Sequence, residues 1–274
     1  MVSGKHNLEG EVAIVTGAGT GLGKAMALTL AKAGADIIVA GRRVPPIEQT
    51  AKEARDLGRR GLAIPTDATD SQQVNRMVEQ TLSEMGRIDI LINNAGGSGR
   101  GERKQIQDWT NDDWHDVMNR NVNGTFYCCR AVAKHFLAQK SGKVINIASG
   151  FGLRGGRDNY AYCATKAGVI LLTRCLALSW ARDNIQVNTI APGLIDVHEL
   201  QPELKPPPDE TIRREAFMPT GRVGIPEDIA YQALFLASDA SDYVTGALFA
   251  AEGGTFAGGY APVRHAPIIA LEEE

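Results

Sequence analysis

Short, nearly unbroken apolar runs alternate with longer stretches of helical periodicity along the whole chain. The runs fall at 12–16, 37–40, 61–64, 88–92, 143–148, 185–190 and 247–250, and the helical patterns at 21–33, 46–57, 70–85, 111–139, 160–182 and 226–237. A run that is apolar at every position suits a strand covered on both faces. Alternation with helices then calls for βαβ units and a parallel sheet. The pattern predicts an α/β fold, a doubly wound seven-stranded parallel sheet flanked by helices. No linker-like break divides the 274 residues, so one domain is expected.

Composition narrows the class. The 29 Lys and Arg against 32 Asp and Glu leave a net charge of −3, which excludes a polybasic nucleic-acid binder. No apolar run is read as reaching the roughly 20 residues of a membrane helix, and residues 1–10 lack a signal-peptide layout. A cytoplasmic protein without nucleic-acid or membrane partners is expected. Cys128, Cys129, Cys163 and Cys175 form no CxxC, and the first two should point to different faces of a helix. They read as buried free thiols of a reducing compartment. The five histidines form no pair at helical spacing, so no metal site is expected.

Three stretches break the rhythm: the glycine-rich 96–101, the segment 194–219 with Pro206, Pro207 and Pro208, and the trailing 253–274. The first two exceed ordinary connections and so read as functional or mobile. Segment 194–218 is expected to act as a substrate lid, and 255–274 as a tail with apolar anchors.

After the first run comes Thr16-Gly17-Ala18-Gly19-Thr20-Gly21-Leu22-Gly23, and then a helical pattern. A strand, a glycine turn and a helix N-terminus offer backbone N–H groups and a positive dipole end to a pyrophosphate. The spacing is TGxxxGxG, not the usual GxGxxG. Tyr162 and Lys166 stand four apart in a helical pattern and share a face. An ammonium beside a phenol favours the phenolate, which brings tyrosine toward useful acid–base chemistry at neutral pH. Ser149 follows a strand thirteen residues before Tyr162, at the strand end where sites of such sheets form.

TGAGTGLG at 16–23, Asp67, NNAG at 93–96, Asn121, Ser149, YCATK at 162–166 and NTIAPG at 188–193 come in the order and spacing of one family. Over about residues 8–254 the chain resembles the short-chain dehydrogenase/reductase family, in its common branch of roughly 250 residues with a Rossmann-like fold. The resemblance implies that Tyr162 transfers a proton to or from the substrate oxygen and that Ser149 orients that oxygen. Lys166 would lower the tyrosine pKa and bond the nicotinamide ribose, and Asn121 would hold a water in a proton relay. Gly17, Gly21 and Gly23 would line the pyrophosphate, beside Thr20 and Leu22. Asp67, next to Ala68, would meet the adenine amino group. Asn94, Ala95 and Gly96 would border the adenosine ribose. Pro192 and Gly193 would flank the nicotinamide, with the Ile195 backbone reaching its carboxamide. Two positions depart from the family: Val197 replaces a common threonine, and Glu252 opens the motif that often reads DGG. Neither touches the proton-transfer residues.

The implied activity is carbonyl–alcohol interconversion on a small molecule by a homotetramer or homodimer. Helices near 111–139 and 160–182 would carry the contacts, the latter through Ala161, Ala164, Ala167 and Gly168. NADP(H) is the preferred cofactor. The slot where an acidic residue would hold the NAD ribose is Gly41, and Arg42 and Arg43 follow to meet a 2′-phosphate. Thr20, where many NADP-preferring relatives carry a basic residue, keeps NAD(H) possible. The alternatives are an NAD-dependent alcohol or sugar dehydrogenase, a double-bond reductase or dehydratase, and a non-catalytic nucleotide-binding regulator. The intact Asn121–Ser149–Tyr162–Lys166 set disfavours the last. Segments 97–104, 151–159 and 194–218 should line the substrate pocket, and Arg100, Arg103, Lys104, Arg154 and Arg157 are its candidate anion-binding cations.

Overall fold

A computed structural model describes residues 4–98, 104–197 and 218–257. Seven strands form one sheet: β1 (Val12–Thr16), β2 (Asp36–Gly41), β3 (Gly61–Pro65), β4 (Ile90–Asn93), β5 (Gly142–Ile147), β6 (Ile185–Pro192) and β7 (Leu248–Ala251). Their order is β3-β2-β1-β4-β5-β6-β7, every pair parallel. The chain winds outward from β1 to β3, then crosses to β4 and winds the other way. That reversal opens a crevice at the carboxyl ends of β1 and β4, where such sheets bind ligands.

The two-sided burial explains the unbroken apolar runs. In β1, Ala13 and Val15 enter the core on one face, while Val12 and Ile14 enter the core on the other. Ile37 and Val39 of β2 follow the first pair, Ile38 and Ala40 the second. Successive side chains point oppositely, so a strand with both faces covered is apolar except where a polar side chain finds a partner inside, as Asn146 and Asn188 do.

Helices α1 (Gly21–Lys32), α2 (Val44–Asp56) and α7 (Pro226–Ala237) cover the first face. Helices α3 (Ser71–Met85), α5 (Gly124–Gln139) and α6 (Tyr160–Trp180) cover the second, and α4 (Asn111–Met118) precedes α5. Local chemistry sets the helix ends. Asp70 caps α3 by accepting from the Gln72 and Gln73 amides at 2.8 and 3.2 Å, and Gly86 ends it in the left-handed region. Thr110 and Asp113 cap α4 reciprocally; such a cap contributes about 1 kcal/mol. Prolines 45 and 46 sit in the first turn of α2, where no N–H is needed.

The structure corrects three expectations. The pattern over 111–139 is not one helix: a π-helical turn, Asn119–Asn123, separates α4 from α5. Cys128 and Cys129 are buried free thiols, both in the core under the second face, and burial raises both thiol pKa values. Cys163 is half-buried and Cys175 exposed, because the outer positions of α6 face away from the sheet. The stretch Tyr160–Asp183 is, by length and composition alone, long and apolar enough to cross a membrane. It carries the buried Lys166, and Val169, Ile170 and Ala177 enter the core. Of the segment 194–218 expected to act as a lid, residues 198–217 lie outside the described residues, as do residues 258–274 of the expected tail.

Candidate active site

The site starts where β1 ends. Thr16 Oγ donates to the Ile92 carbonyl at 3.3 Å and accepts from the Asn94 and Ala95 amides at 3.0 and 3.1 Å. Asn94 Nδ2 donates back to the Thr16 and Gly17 carbonyls at 3.0 and 3.2 Å. These bonds join the ends of β1 and β4 across the crevice. Gly17 then turns the chain with φ +65°, a left-handed conformation that a side chain resists. Thr20 is extended and α1 begins at Gly21, so the first-turn amides open toward the crevice. Gly23 does not line the cleft; it lies behind the turn, its α-carbon pressed toward the Gly17 carbonyl.

The cleft has a volume of about 610 Å³. Gly41, Arg42, Arg43, Asp67 and Ala68 line one end, past the carboxyl ends of β2 and β3. Both arginines are exposed, and the Asp67 carboxylate accepts from the Thr69 amide and hydroxyl at 3.0 and 2.8 Å. Ala95 and Gly96 form the middle, and Ser149, Tyr162, Lys166, Pro192, Gly193 and Ile195 the other end. Sequence reasoning missed Gly19, Pro46, Ile47 and Arg120, which also line it. The start of α2 directly after β2 was the available signal for Pro46 and Ile47.

At the second end, Tyr162 lies in the first turn of α6 and Lys166 one turn on. Lys166 Nζ stands 5.6 Å from the centre of the Tyr162 ring and donates to the Ile147 carbonyl at 2.8 Å. Lys166 is only 5% exposed, and burial depresses its pKa from 10.5 to about 8. It still carries its proton at neutral pH and presents a positive charge to the phenol. Tyr160 serves elsewhere: its hydroxyl donates to Asp158 at 3.1 Å, and its ring meets Trp109 edge-on. Burial and Asp158 raise its pKa.

Asn121 does not line the cleft. It is buried in the π-helical turn, where Nδ2 donates to the Gly97 and Val117 carbonyls at 2.9 Å and Oδ1 accepts from the Gly97 amide at 3.1 Å. Gly96 runs between Asn121 and the ammonium: a Cβ there would stand 2.5 Å from Asn121 Oδ1 and 3.5 Å from Lys166 Nζ. The extra residue of a π turn re-aims a side chain, a device frequent at functional sites. Val197 contributes to the cleft wall, and the neighbouring Asp196 amide donates to the Gly224 carbonyl at 2.7 Å.

A cradle at a helix N-terminus, leading to a tyrosine–lysine pair in one cleft, defines a dinucleotide-dependent oxidoreductase of Rossmann-like fold. The chain belongs to the short chain dehydrogenase family, whose model matches residues 11–207. It is 41% identical to 2-dehydro-3-deoxy-D-gluconate 5-dehydrogenase of Escherichia coli K12, over 94% of this chain and 100% of that protein. A gluconate 5-dehydrogenase from Burkholderia cenocepacia, solved with NADP and tartrate, superposes with a TM-score of 0.85 at 34% identity, covering 93% and 98% of the two chains. A 7 alpha-hydroxysteroid dehydrogenase solved with NADH gives 0.85 at 32% identity, over 93% of this chain and 97% of that one. The protein is thus an NAD(P)-dependent oxidoreductase acting between carbonyl and alcohol.

Proposed function

We propose that this protein is an NADP(H)-preferring dehydrogenase of hydroxy and oxo acids of the sugar-acid kind, with Tyr162 as general acid and base. The observation that carries the reading is one cleft with Arg42 and Arg43 at one end and the Tyr162–Lys166 pair at the other. The residues fit the dinucleotide. Gly17 and the α1 N-terminus suit its pyrophosphate, and Gly41 puts no carboxylate against a 2′-phosphate. When bound, the nicotinamide supplies or accepts the hydride.

During reduction, Tyr162 gives its phenolic proton to the substrate oxygen, on which negative charge develops. Ser149 donates a hydrogen bond to the same oxygen. The Lys166 ammonium stabilises the phenolate left behind. In oxidation, Tyr162 takes the hydroxyl proton instead. Asn121 fixes the Gly96–Gly97 backbone beside the ammonium and, in this reading, orders the water that carries protons onward.

The substrate class rests on the relatives, among them a 2-dehydro-3-deoxy-D-gluconate dehydrogenase and a gluconate dehydrogenase. We further read the enzyme as a cytoplasmic homotetramer. Ala164, Ala167, Leu171, Cys175 and Leu178 run down the outer face of α6 at helical spacing, all exposed, and Phe126 is exposed on α5. Ala161 and Gly168 instead face this chain's own interior. The test measures kcat/KM with NADPH and NADH across oxo acids, neutral sugars, simple ketones and sterols, alongside sedimentation. Oxo-acid reduction more efficient with NADPH is expected. Neutral ketones outrunning every acid would overturn the substrate class, and higher efficiency with NADH would overturn the cofactor preference.

A further inference from the structure

Of the five cations that the sequence offers to an anionic substrate, Arg100 and Arg103 lie outside the described residues. Two others are paired with carboxylates. Lys104 Nζ is paired with Asp113 at 2.7 Å. Arg157 lies 3.4 Å from Asp158, with its side chain 93% exposed. Arg154 differs from both. Among the described residues it has no carboxylate partner, and although it is exposed its guanidinium lies over two aromatic rings, 5.6 Å from the centre of Phe151 and 4.9 Å from that of Phe256.

Both rings are tied to the site. Phe151 meets Tyr162 edge-on at 6.4 Å, and its amide donates to Ser149 Oγ at 3.2 Å. Phe256 arrives from beyond β7. Its amide donates to Glu252 Oε2 at 2.9 Å, and the same oxygen accepts from Thr255 Oγ at 2.7 Å. Glu252 in turn packs against Gly193 at the cleft, where a Cβ on the glycine would stand 2.6 Å from the Glu252 α-carbon. The Phe256 ring lies directly over Gly150, the residue after Ser149. A Cβ at 150 would stand 2.5 Å from Phe256 Cζ, so a side chain there would displace the ring.

Stacking on aromatic faces fixes the plane of a guanidinium while leaving its N–H edges available for a carboxylate. An arginine on an open loop is ordinarily solvated and mobile; this one lies over two rings, and one of them, Phe151, meets Tyr162 and bonds Ser149. We infer that Arg154, clamped by Phe151 and Phe256, receives the carboxylate of the substrate and so selects acids over neutral carbonyl compounds. The inference deepens the oxo-acid reading above and rests on it.

The test compares kcat/KM, with NADPH, for an oxo acid and its methyl ester in the wild type, Arg154→Gln, Arg154→Lys and Phe256→Leu. NADPH binding to each variant, followed by fluorescence, reports that it is folded. Arg154→Gln should lower the acid-to-ester ratio by about tenfold or more, the scale of a lost charge-assisted pair, chiefly through KM for the acid. Lysine should restore part of the ratio, since it keeps the charge but not the fork. Phe256→Leu should lower it less than Arg154→Gln. An acid preference that persists undiminished in Arg154→Gln overturns the clamp and leaves the oxo-acid reading standing. A wild type that prefers the ester overturns that reading as well. Equal losses on acid and ester would assign Arg154 to loop structure and also overturn the inference.

Discussion

The two ends of the cleft are built differently. The end that fits the pyrophosphate and adenosine is mostly backbone: the Gly17 turn, the open amides of α1, and the Thr16–Asn94 bonds between neighbouring strand ends. The end with Tyr162 and Lys166 consists of side chains brought from far apart, and beside it Phe256, from beyond β7, packs over Gly150 and lies with Phe151 near the Arg154 guanidinium. A backbone cradle follows from topology and changes little while the sheet is kept. A side-chain wall can be replaced residue by residue, which is how one fold serves many substrates.

The sharpest way to break this comparison is at the chemistry the two ends share. Tyr162→Phe keeps the ring against Phe151 but removes the ionisable oxygen. Turnover should fall at least about a hundredfold, within the range of a lost general acid, while NADPH binding survives because the cradle is untouched. Tyr160→Phe, which loses only the bond to Asp158, is the control and should be mild. Near wild-type kcat in Tyr162→Phe would remove the mechanism.

A smaller effect is expected at the adenosine end. Arg42→Ala should lower the NADPH-to-NADH ratio of kcat/KM by about ten- to a hundredfold, the scale of one charged hydrogen-bonding group. Gly41→Asp should lower it further by setting a carboxylate against the 2′-phosphate. A Cβ at 41 would stand 3.0 Å from Ile47 Cγ2, so that methyl must give by a few tenths of an ångström. A ratio that moves in neither variant would show that cofactor choice lies elsewhere.

What could be read from sequence divides along the same line. The inner strands could be read because two-sided burial leaves them largely apolar, while the edge strands β3 and β7 are only partly buried; Tyr162 and Lys166 could be read because one helical turn separates them. The break at Asn119–Asn123 could not. A π turn keeps the same apolar periodicity on either side and adds one residue, so 111–139 reads as a single helix. The same insertion turns Asn121 inward to Gly97, away from the cleft wall. Phe256 was invisible for another reason. It is 105 residues from Phe151, and only the fold of β7 against β6 brings the two rings to one guanidinium.

The smallest expected effect is on stability, and it asks what the shared centre costs the fold. Lys166 is buried, and desolvation alone depresses its pKa from 10.5 to about 8. Between these values the unfolded chain holds a proton that the folded lysine has released, so native stability rises with pH across that window. Below it the ammonium is buried at a cost of ~3 kcal/mol, from 1.36 kcal/mol per pKa unit. Lys166→Met removes that cost but leaves the Ile147 carbonyl without its donor, a loss of about 1 kcal/mol. At pH 7 the variant should therefore be inactive yet more stable by ~2 kcal/mol, or roughly 4–8 °C in Tm. The gap should shrink as pH rises from about 8 toward 10.5 and the wild-type penalty is relieved. Thermal melts of both proteins across that range are the check. A variant less stable than wild type at pH 7, or a gap that stays constant with pH, would show that the site is accommodated in the fold at no cost in stability.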